Sequence, residues 1–294
     1  MKVQALNLTK NWIEWFVGFS DAEGNFQVYP KKRVLKSGEI SKYNVGLAFH
    51  LSLHSRDSVI ISTIYQKLQN VKLKNVGTIY TYKNRPEIRI AINDRSGLES
   101  LIRVIDNFPL VTEHQLTRYL LLKEYLMKEI KEFKTLEDYN KFNEELLLSI
   151  KATLDNNSVM DFNESSLQYW KLRLADGELD SWIVGFINGE GCFYLNKDKC
   201  NFFIEHTSRL ALELIKNRFS FGPNVLERAP RERDKGKNHI KTTYKLIVSS
   251  KSDINNIIRF LDDSLEPLKG HKLLQYNEWK EKWMKRKIKD YSDS

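Results

Sequence analysis

Two stretches of this chain are near copies of each other. Residues 15–26 read WFVGFSDAEGNF and residues 182–193 read WIVGFINGEGCF; seven of the twelve positions are identical without a gap, at an offset of 167 residues. The likeness continues in order. NVGLAFHLSLHSRD (44–57) is answered by NFFIEHTSR (201–209), which shares its Ser-Arg end, and SGLESLIRVIDNFPL (96–110) by SDINNIIRFLDDSLEPL (252–268). Both copies then run into stretches rich in Leu, Tyr and Lys, at 114–134 and 271–288, that are expected to be helical. Internal similarity of this kind marks a duplicated structural unit. Chance accounts for one such segment, not for three in the same order. The chain therefore divides into halves at 1–134 and 178–294. The intervening 135–177 has no counterpart; it mixes helical patches with DNNS and ADG turn signals and is too long for a bare loop, so it is expected to contain some helix.

Each half opens on a helix, over about 11–22 and 179–189. Residues 15–19 without Glu or Lys, and 182–187 likewise, are apolar nearly all round, which predicts buried helices. Gly18 and Ala22, and Gly185 and Gly189, fall four apart and so share one face. Small side chains there let two backbones approach closely, which offsets the cost of about 0.5–1 kcal/mol that glycine carries in a helix. Gly24 and Gly191 sit where the helices should stop. Behind the first motif, Val45, Leu47, Phe49, Leu51 and Leu53 alternate with small or polar residues, the period of a strand with one face on a core. Further strands are expected near 26–35, 76–82 and 86–92, and near 192–197, 200–208, 223–229 and 240–249. The fold class that results is α+β with antiparallel sheets.

Glu23 and Glu190 occupy matching positions, one residue before the terminating glycine. If the small faces of the two helices pack together, the carboxylates emerge side by side. Each helix C-terminus already carries about half a negative charge, and like carboxylates oppose each other's ionisation. A divalent cation relieves both problems, since Mg²⁺ and Ca²⁺ prefer oxygen ligands, and carboxylate-held metal is what phosphodiester hydrolysis uses. Asp21 has Asn188 as its partner, so that position does not repeat its charge; Asp21 reads as a local capping group.

With 47 Lys plus Arg against 38 Asp plus Glu, the net charge is +9. That balance points to polyanions, nucleic acid first and an anionic membrane surface second. Two cysteines, Cys192 and Cys200, build neither a disulfide scaffold nor a CxxC zinc site, which suggests a reducing compartment. There is no apolar run long enough for a membrane span and no signal-peptide core at MKVQALNLTKNW; a protein acting in an organelle is then expected to be made there.

FVGFSDAEG (16–24) and IVGFINGEG (183–191) resemble the LAGLIDADG motif of homing endonucleases, and the likeness covers nearly the whole chain. It is greatest to the two-motif monomeric enzymes encoded in fungal organelle introns, which implies a mitochondrial origin, with a chloroplast as the other possibility. The resemblance implies two pseudo-symmetric αββαββα halves, saddle-shaped antiparallel sheets over DNA and motif helices at the interface. It implies a site-specific endonuclease that cuts both strands of a long asymmetric duplex and leaves short 3′ overhangs. Mg²⁺ would be the cofactor, with Mn²⁺ substituting and Ca²⁺ binding without efficient cleavage. The metal would be held at Glu23 and Glu190, with Ala22 and Gly189 beside them. The family's late-helix basic residue falls at Lys272, with His114 where the first half should have its lysine. His206 falls where the family often has a glutamine that orders water, opposite Leu53 of the first half.

Candidates for DNA contact lie on the strands and their loops: Lys31, Lys32, Arg33 and Lys36; His50, Ser52 and His54; Lys83, Arg85 and Arg89; Lys197 and Lys199; Arg228, Arg231, Arg233, Lys241 and Lys245. A two-stranded ribbon fits the major groove, where bases are distinguishable, and a long site needs many phosphate and base contacts. Two other readings share the fold: an intron-RNA maturase, which would use the same basic surface, and a DNA-binding regulator, which the presence of both motif acids disfavours. A third, PEIR (86–89) as part of another nuclease signature, lacks an upstream Asp and a duplicate.

Overall fold

The computed structural model describes residues 8–70, 76–106, 108–156, 177, 179–196, 199–229 and 242–292. The first half runs α1 (Lys10–Glu23), β1 (Gly24–Val34), β2 (Ile40–His54), a short 3₁₀ turn (Ser55–Asp57), α2 (Ser58–Asn70), β3 (Thr78–Thr81), β4 (Glu87–Ile92), α3 (Arg95–Ile105) and α4 (Glu113–Met127). The second half repeats the order as α6 (Asp180–Glu190), β6 (Gly191–Asn196), β7 (Lys199–His206), α7 (Arg209–Phe219), β8 (Leu226–Arg228), β9 (Thr243–Val248), α8 (Lys251–Asp263) and α9 (Gly270–Ser292). Between them lie β5 (Glu132–Phe133) and α5 (Leu136–Asn156). Each half is thus the expected αββαββα series followed by one more helix.

The sheets are antiparallel, with orders β1-β2-β4-β3 and β6-β7-β9-β8. Their registers correspond. Phe26 faces Phe49 and Phe49 faces Ile92 in the first; Phe193 faces Phe202 and Phe202 faces Val248 in the second. Helices pack on one face of each sheet. Tyr119 of α4 meets Phe26 edge-on at 5.5 Å, and Tyr276 of α9 meets Phe193 at 5.3 Å. Each tyrosine hydroxyl then donates to an aspartate on the preceding helix, Tyr119 to Asp106 at 2.6 Å and Tyr276 to Asp262 at 2.8 Å. A lysine four residues on, Lys123 or Lys280, pairs with the same aspartate. Burial, before the neighbouring aspartate, raises the pKa of both phenols and keeps them protonated. Caps match too: Asp94 accepts from Gly97 N at the start of α3, and Ser250 from Asp253 N at the start of α8.

Three local features differ from the sequence pattern. The helical stretch expected over 114–134 stops at Met127, Glu129 takes a left-handed conformation (φ 52°), and Glu132–Phe133 pairs with Tyr43 and Asn44 of β2. The linker helix α5 is 21 residues long and closes on this edge. Its Tyr139 donates to Val28 O at 3.1 Å and its Phe142 meets Tyr125 at 5.6 Å. On β2, Gly46 and Ala48 are buried along with their apolar neighbours, because the Tyr29 ring and the Lys31 stem lie over Gly46. Finally, Gly191 is not a left-handed cap: its φ of −65° and ψ of 141° lead α6 straight into β6, and glycine is needed because a Cβ would lie 2.6 Å from the Ile187 side chain.

Candidate active site and nucleic-acid interface

The segment Glu14–Ala22 of α1 groups with the second half of the chain, whereas residues from Glu23 onward form the first compact unit. Within the second unit, α1 and α6 meet backbone to backbone. A Cβ on Gly18 would collide with the carbonyl of Trp182, and a Cβ on Gly185 with that of Trp15. The contact is reciprocal, since each glycine rests on the residue three before the other glycine. Trp15 stacks on Phe19 at 5.1 Å and Trp182 on Phe186 at 5.0 Å, and all four rings are buried, as expected for helices apolar on every side.

The polar residues around this contact are not duplicated. Asp21 is fully buried and accepts from the Trp182 indole nitrogen at 2.8 Å. It is therefore a partner for the facing helix, not the local cap its position suggested. Asn188, its counterpart, accepts instead from the Lys269 backbone at 2.6 Å, and the Lys269 ammonium lies 4.1 Å from the centre of the Trp15 ring. A cation over an indole face is attracted by the ring quadrupole, while the Trp15 nitrogen itself is buried with no hydrogen-bond partner among the described residues.

Glu23 and Glu190 are the last residues of α1 and α6, each five beyond its contact glycine, and each is half-buried. The carbonyl that follows each glutamate is held from a late helix. Lys272 donates to Gly191 O, and Gln115 donates to Gly24 O at 2.5 Å. The matched Tyr119 and Tyr276 bonds fix this register: Lys272 lies four residues before Tyr276, and Gln115 four before Tyr119. The residue in the place of Lys272 is therefore Gln115, one position after His114. The Gln115 side chain is buried, and its carbonyl oxygen has no partner among the described residues. Sequence reasoning sought a basic residue and so passed over a glutamine. The His206 ring is half-exposed rather than part of the core, stands edge-on to Phe186 at 5.1 Å and accepts at Nδ1 from Ser208 N at 3.0 Å.

The sheet faces turned away from the helices carry the remaining candidates. In the first sheet Asn25, His50 and Ala91 stand in one row across β1, β2 and β4, with Ser52, Arg89 and Tyr80 in the next. His50 Nε2 lies 3.3 Å from Asn93 Oδ1; burial first, then the Arg89 charge, lowers its pKa against the hydrogen bond to Asn93. Arg89 donates to Ser52 at 2.7 Å and to Glu87 at 3.0 Å, and Arg85 pairs with the same glutamate while lying 4.0 Å over the Tyr82 ring. His54 faces its own loop, accepting from Arg56 N. Lys31, Lys32, Arg33, Lys36 and Lys83 are exposed on the hairpin and loop.

In the second sheet the row equivalent to Asn25–His50–Ala91 is Cys192, Phe203 and Ile247. Burial raises the Cys192 thiol pKa, against the pull of Lys272 and Lys245. Lys245 lies 3.8 Å over the Phe203 ring, and Glu205 draws in Arg228 at 3.3 Å, Lys245 at 4.0 Å and the Thr243 hydroxyl at 3.2 Å. Lys197, Arg231, Arg233 and Lys241 lie outside the described residues, as does the side chain of Lys199.

Among the described residues no three His, Cys, Asp or Glu side chains form a metal cage by themselves. Each motif helix ends in one carboxylate, an oxygen donor of the kind hard divalent cations prefer. Among the described residues, no helix is long and apolar enough to cross a membrane.

A duplicated motif helix ending in an acid, each followed by an antiparallel sheet with a polar or basic face, defines the class of two-motif LAGLIDADG proteins. The family model described as LAGLIDADG endonuclease matches residues 16–126 and 183–283, and the chain belongs to this family. The probable intron-encoded endonuclease Cox1-I1b of Schizosaccharomyces pombe is 24% identical over 274 residues, 92% of this chain and 63% of that protein. The probable intron-encoded endonuclease 3 of Neurospora crassa is 23% identical over 288 residues, 95% of this chain and 51% of that protein. The uncharacterized mitochondrial protein RF1 of Saccharomyces cerevisiae is 22% identical over 201 residues, 68% of this chain and 36% of that protein. The chain thus spans about two thirds or less of each. Two solved structures share the fold. The I-LtrWI homing endonuclease bound to target DNA has a TM-score of 0.64 at 21% identity, covering 96% of this chain and 93% of that one. I-SmaMI bound to uncleaved DNA with calcium ions has a TM-score of 0.62 at 20% identity, covering 95% and 92%.

Proposed function

We propose that this protein is a site-specific DNA endonuclease that hydrolyses both strands of a long duplex target with divalent metal, leaving short 3′ overhangs. The observation that carries the reading is the reciprocal packing of α1 and α6 at Gly18 and Gly185, with a glutamate five residues beyond each glycine. Glu23 and Glu190 act together as the carboxylate ligands, flanked by Ala22 and Gly189. A divalent cation held by these two carboxylates would supply water activation and charge neutralisation at the attacked phosphate. Lys272, fixed on the Gly191 carbonyl, adds a positive charge beside the second motif. Gln115 holds the matching Gly24 carbonyl with a neutral group. His206 stands at the strand end of the second half, positioned to order water. Mg²⁺ is the working metal, Mn²⁺ replaces it, and Ca²⁺, present in one related structure, supports binding without efficient cleavage.

Base readout and phosphate contact fall to the open sheet faces and the β1–β2 hairpin, through Lys31, Lys32, Arg33, His50, Ser52, Lys83, Arg85, Arg89, Arg228 and Lys245. The net charge of +9 supports that assignment. The related proteins' names speak of endonucleases, which favours cleavage over splicing assistance. Fungal intron-encoded and mitochondrial relatives support an origin in a fungal mitochondrial intron. The test is selection of cut sites from a randomised duplex library. A single long, asymmetric consensus with Mg²⁺, and none with EDTA, is the expected result. Cutting without sequence preference, or cutting unaffected by EDTA, would contradict it.

A further inference from the structure

The two sheets present different chemistry at equivalent positions. The residue after the motif glycine, its partner on the second strand and the partner on the next strand are Asn25, His50 and Ala91 in the first sheet, and Cys192, Phe203 and Ile247 in the second. The rows lie on the face away from the helices, because the neighbouring Phe26 and Phe193 meet the helix residues Tyr119 and Tyr276. One row offers amide and imidazole groups, its third member Ala91 being buried. The other offers a thiol, a phenyl ring and a branched aliphatic chain, none of them fully buried, with Tyr194 next to it 45% exposed. The cations of the second row's surroundings are already engaged. Lys245 lies over the Phe203 ring and, with Arg228, faces Glu205. Lys245 thus covers one face of the ring, in a surface whose neighbouring basic groups suit a polyanion.

In the major groove the apolar feature of a base pair is the thymine C5-methyl group, whose protein partners are side chains such as Phe, while Asn and other hydrogen-bonding side chains read purine N6, N7 and O6. Building on the endonuclease reading above, we infer that the second sheet selects its half-site through thymine methyl groups against the Cys192–Phe203–Ile247 row, whereas the first sheet selects purines by hydrogen bonds from Asn25 and His50. The target is then asymmetric in the kind of contact that reads it as well as in its sequence.

The experiment begins with the wild-type protein and the duplex obtained by library selection. Each thymine in turn is replaced by deoxyuridine, which removes only the methyl group, and each purine by its 7-deaza analogue, which removes only the N7 acceptor. Affinity is measured with Ca²⁺ and cleavage with Mg²⁺. The expected result is a loss of about fourfold per contacted methyl, the size of one methyl's burial, at one or two positions of one half-site only. The 7-deaza losses should cluster in the other half-site. Phe203→Ser should abolish the deoxyuridine effect and leave the 7-deaza effect, which assigns the sensitive half-site to the second sheet. Deoxyuridine tolerated throughout both half-sites, as a chain segment covering this row would produce, overturns the inference while leaving the endonuclease reading intact. Equal sensitivity in both half-sites, or a selected site with no T·A pairs in either half, does the same. A library that yields no cut duplex removes both.

Discussion

The two halves of this chain are alike in their apolar packing and unlike in the polar groups beside it and on the open sheet faces. Tyr119, Asp106 and Lys123 repeat as Tyr276, Asp262 and Lys280, with the same bonds. Trp15 and Phe19 repeat as Trp182 and Phe186, with the same stacking. Against this, Gln115 stands for Lys272, Asp21 for Asn188, and Asn25 with His50 for Cys192 with Phe203. A duplicated fold must keep both sets of ridges and caps to stay packed, but two copies in one chain are free to diverge at any surface that meets an asymmetric partner. The motif glutamates, by contrast, are identical in the two halves: each ends its helix and each is half-buried.

That contrast can be broken most sharply at the glutamates. Glu23→Gln and Glu190→Gln should each lower single-turnover cleavage on the order of 10²–10³-fold, the scale for removing one charge-stabilising group from an active site, with affinity for the duplex in Ca²⁺ nearly unchanged. Unequal effects, one variant cutting normally, would mean that only one half carries the chemistry. Next come the late-helix residues. Lys272→Met should slow the nicking of one strand roughly 10–100-fold, as loss of a supporting group does, and Gln115→Leu should slow the other strand by less. Strand-resolved cleavage assays measure both, and equal losses would contradict the asymmetry.

Smaller effects concern stability. Gly18→Ala and Gly185→Ala each add a Cβ into a backbone carbonyl. Alanine gains about 0.5–1 kcal/mol in a helix interior, but overpacking costs about 1–3 kcal/mol, so both variants should unfold earlier in urea, and by similar amounts. A stabilised variant would show that the helices do not meet at these glycines. The smallest effect is shared by the halves. Tyr119 and Tyr276 have pKa values raised in the folded state. Once pH climbs past the unfolded tyrosine value of about 10, the unfolded chain loses protons that the native state keeps, so stability falls. Tyr119→Phe and Tyr276→Phe should each flatten that alkaline slope, by similar amounts, in denaturation curves taken across pH 9–12.

How much of this was open to inspection beforehand depends on locality. The repeat revealed two like series of elements, the all-apolar motif helices, the positions of most strands and a glutamate at the end of each motif helix, because each is written in adjacent residues or in a period of two. Lys272 was placed by resemblance. Gln115 was not found, because its role depends on the register between α4 and β1, and a shift of one residue made His114 the candidate. The Asp21–Trp182 bond joins residues 161 apart in sequence and has no local signature. The strand at Glu132–Phe133 falls in a stretch expected to be helix because lysines continue past Met127 with no Gly or Pro before Thr135; the left-handed Glu129 ends the helix. The apolar row at Phe203 looks from the sequence like ordinary core alternation, and only the register with Cys192 and Ile247 shows that it faces away from the core.

The account rests on two carboxylates, one from each motif, holding divalent cations jointly. Mn²⁺ binding to the DNA-bound protein, followed by electron paramagnetic resonance, measures this directly. Tight Mn²⁺ binding in the wild type that is lost in Glu23→Gln, in Glu190→Gln and in the double variant, with DNA still bound, is the expected result. Undiminished Mn²⁺ binding in the double variant would contradict it.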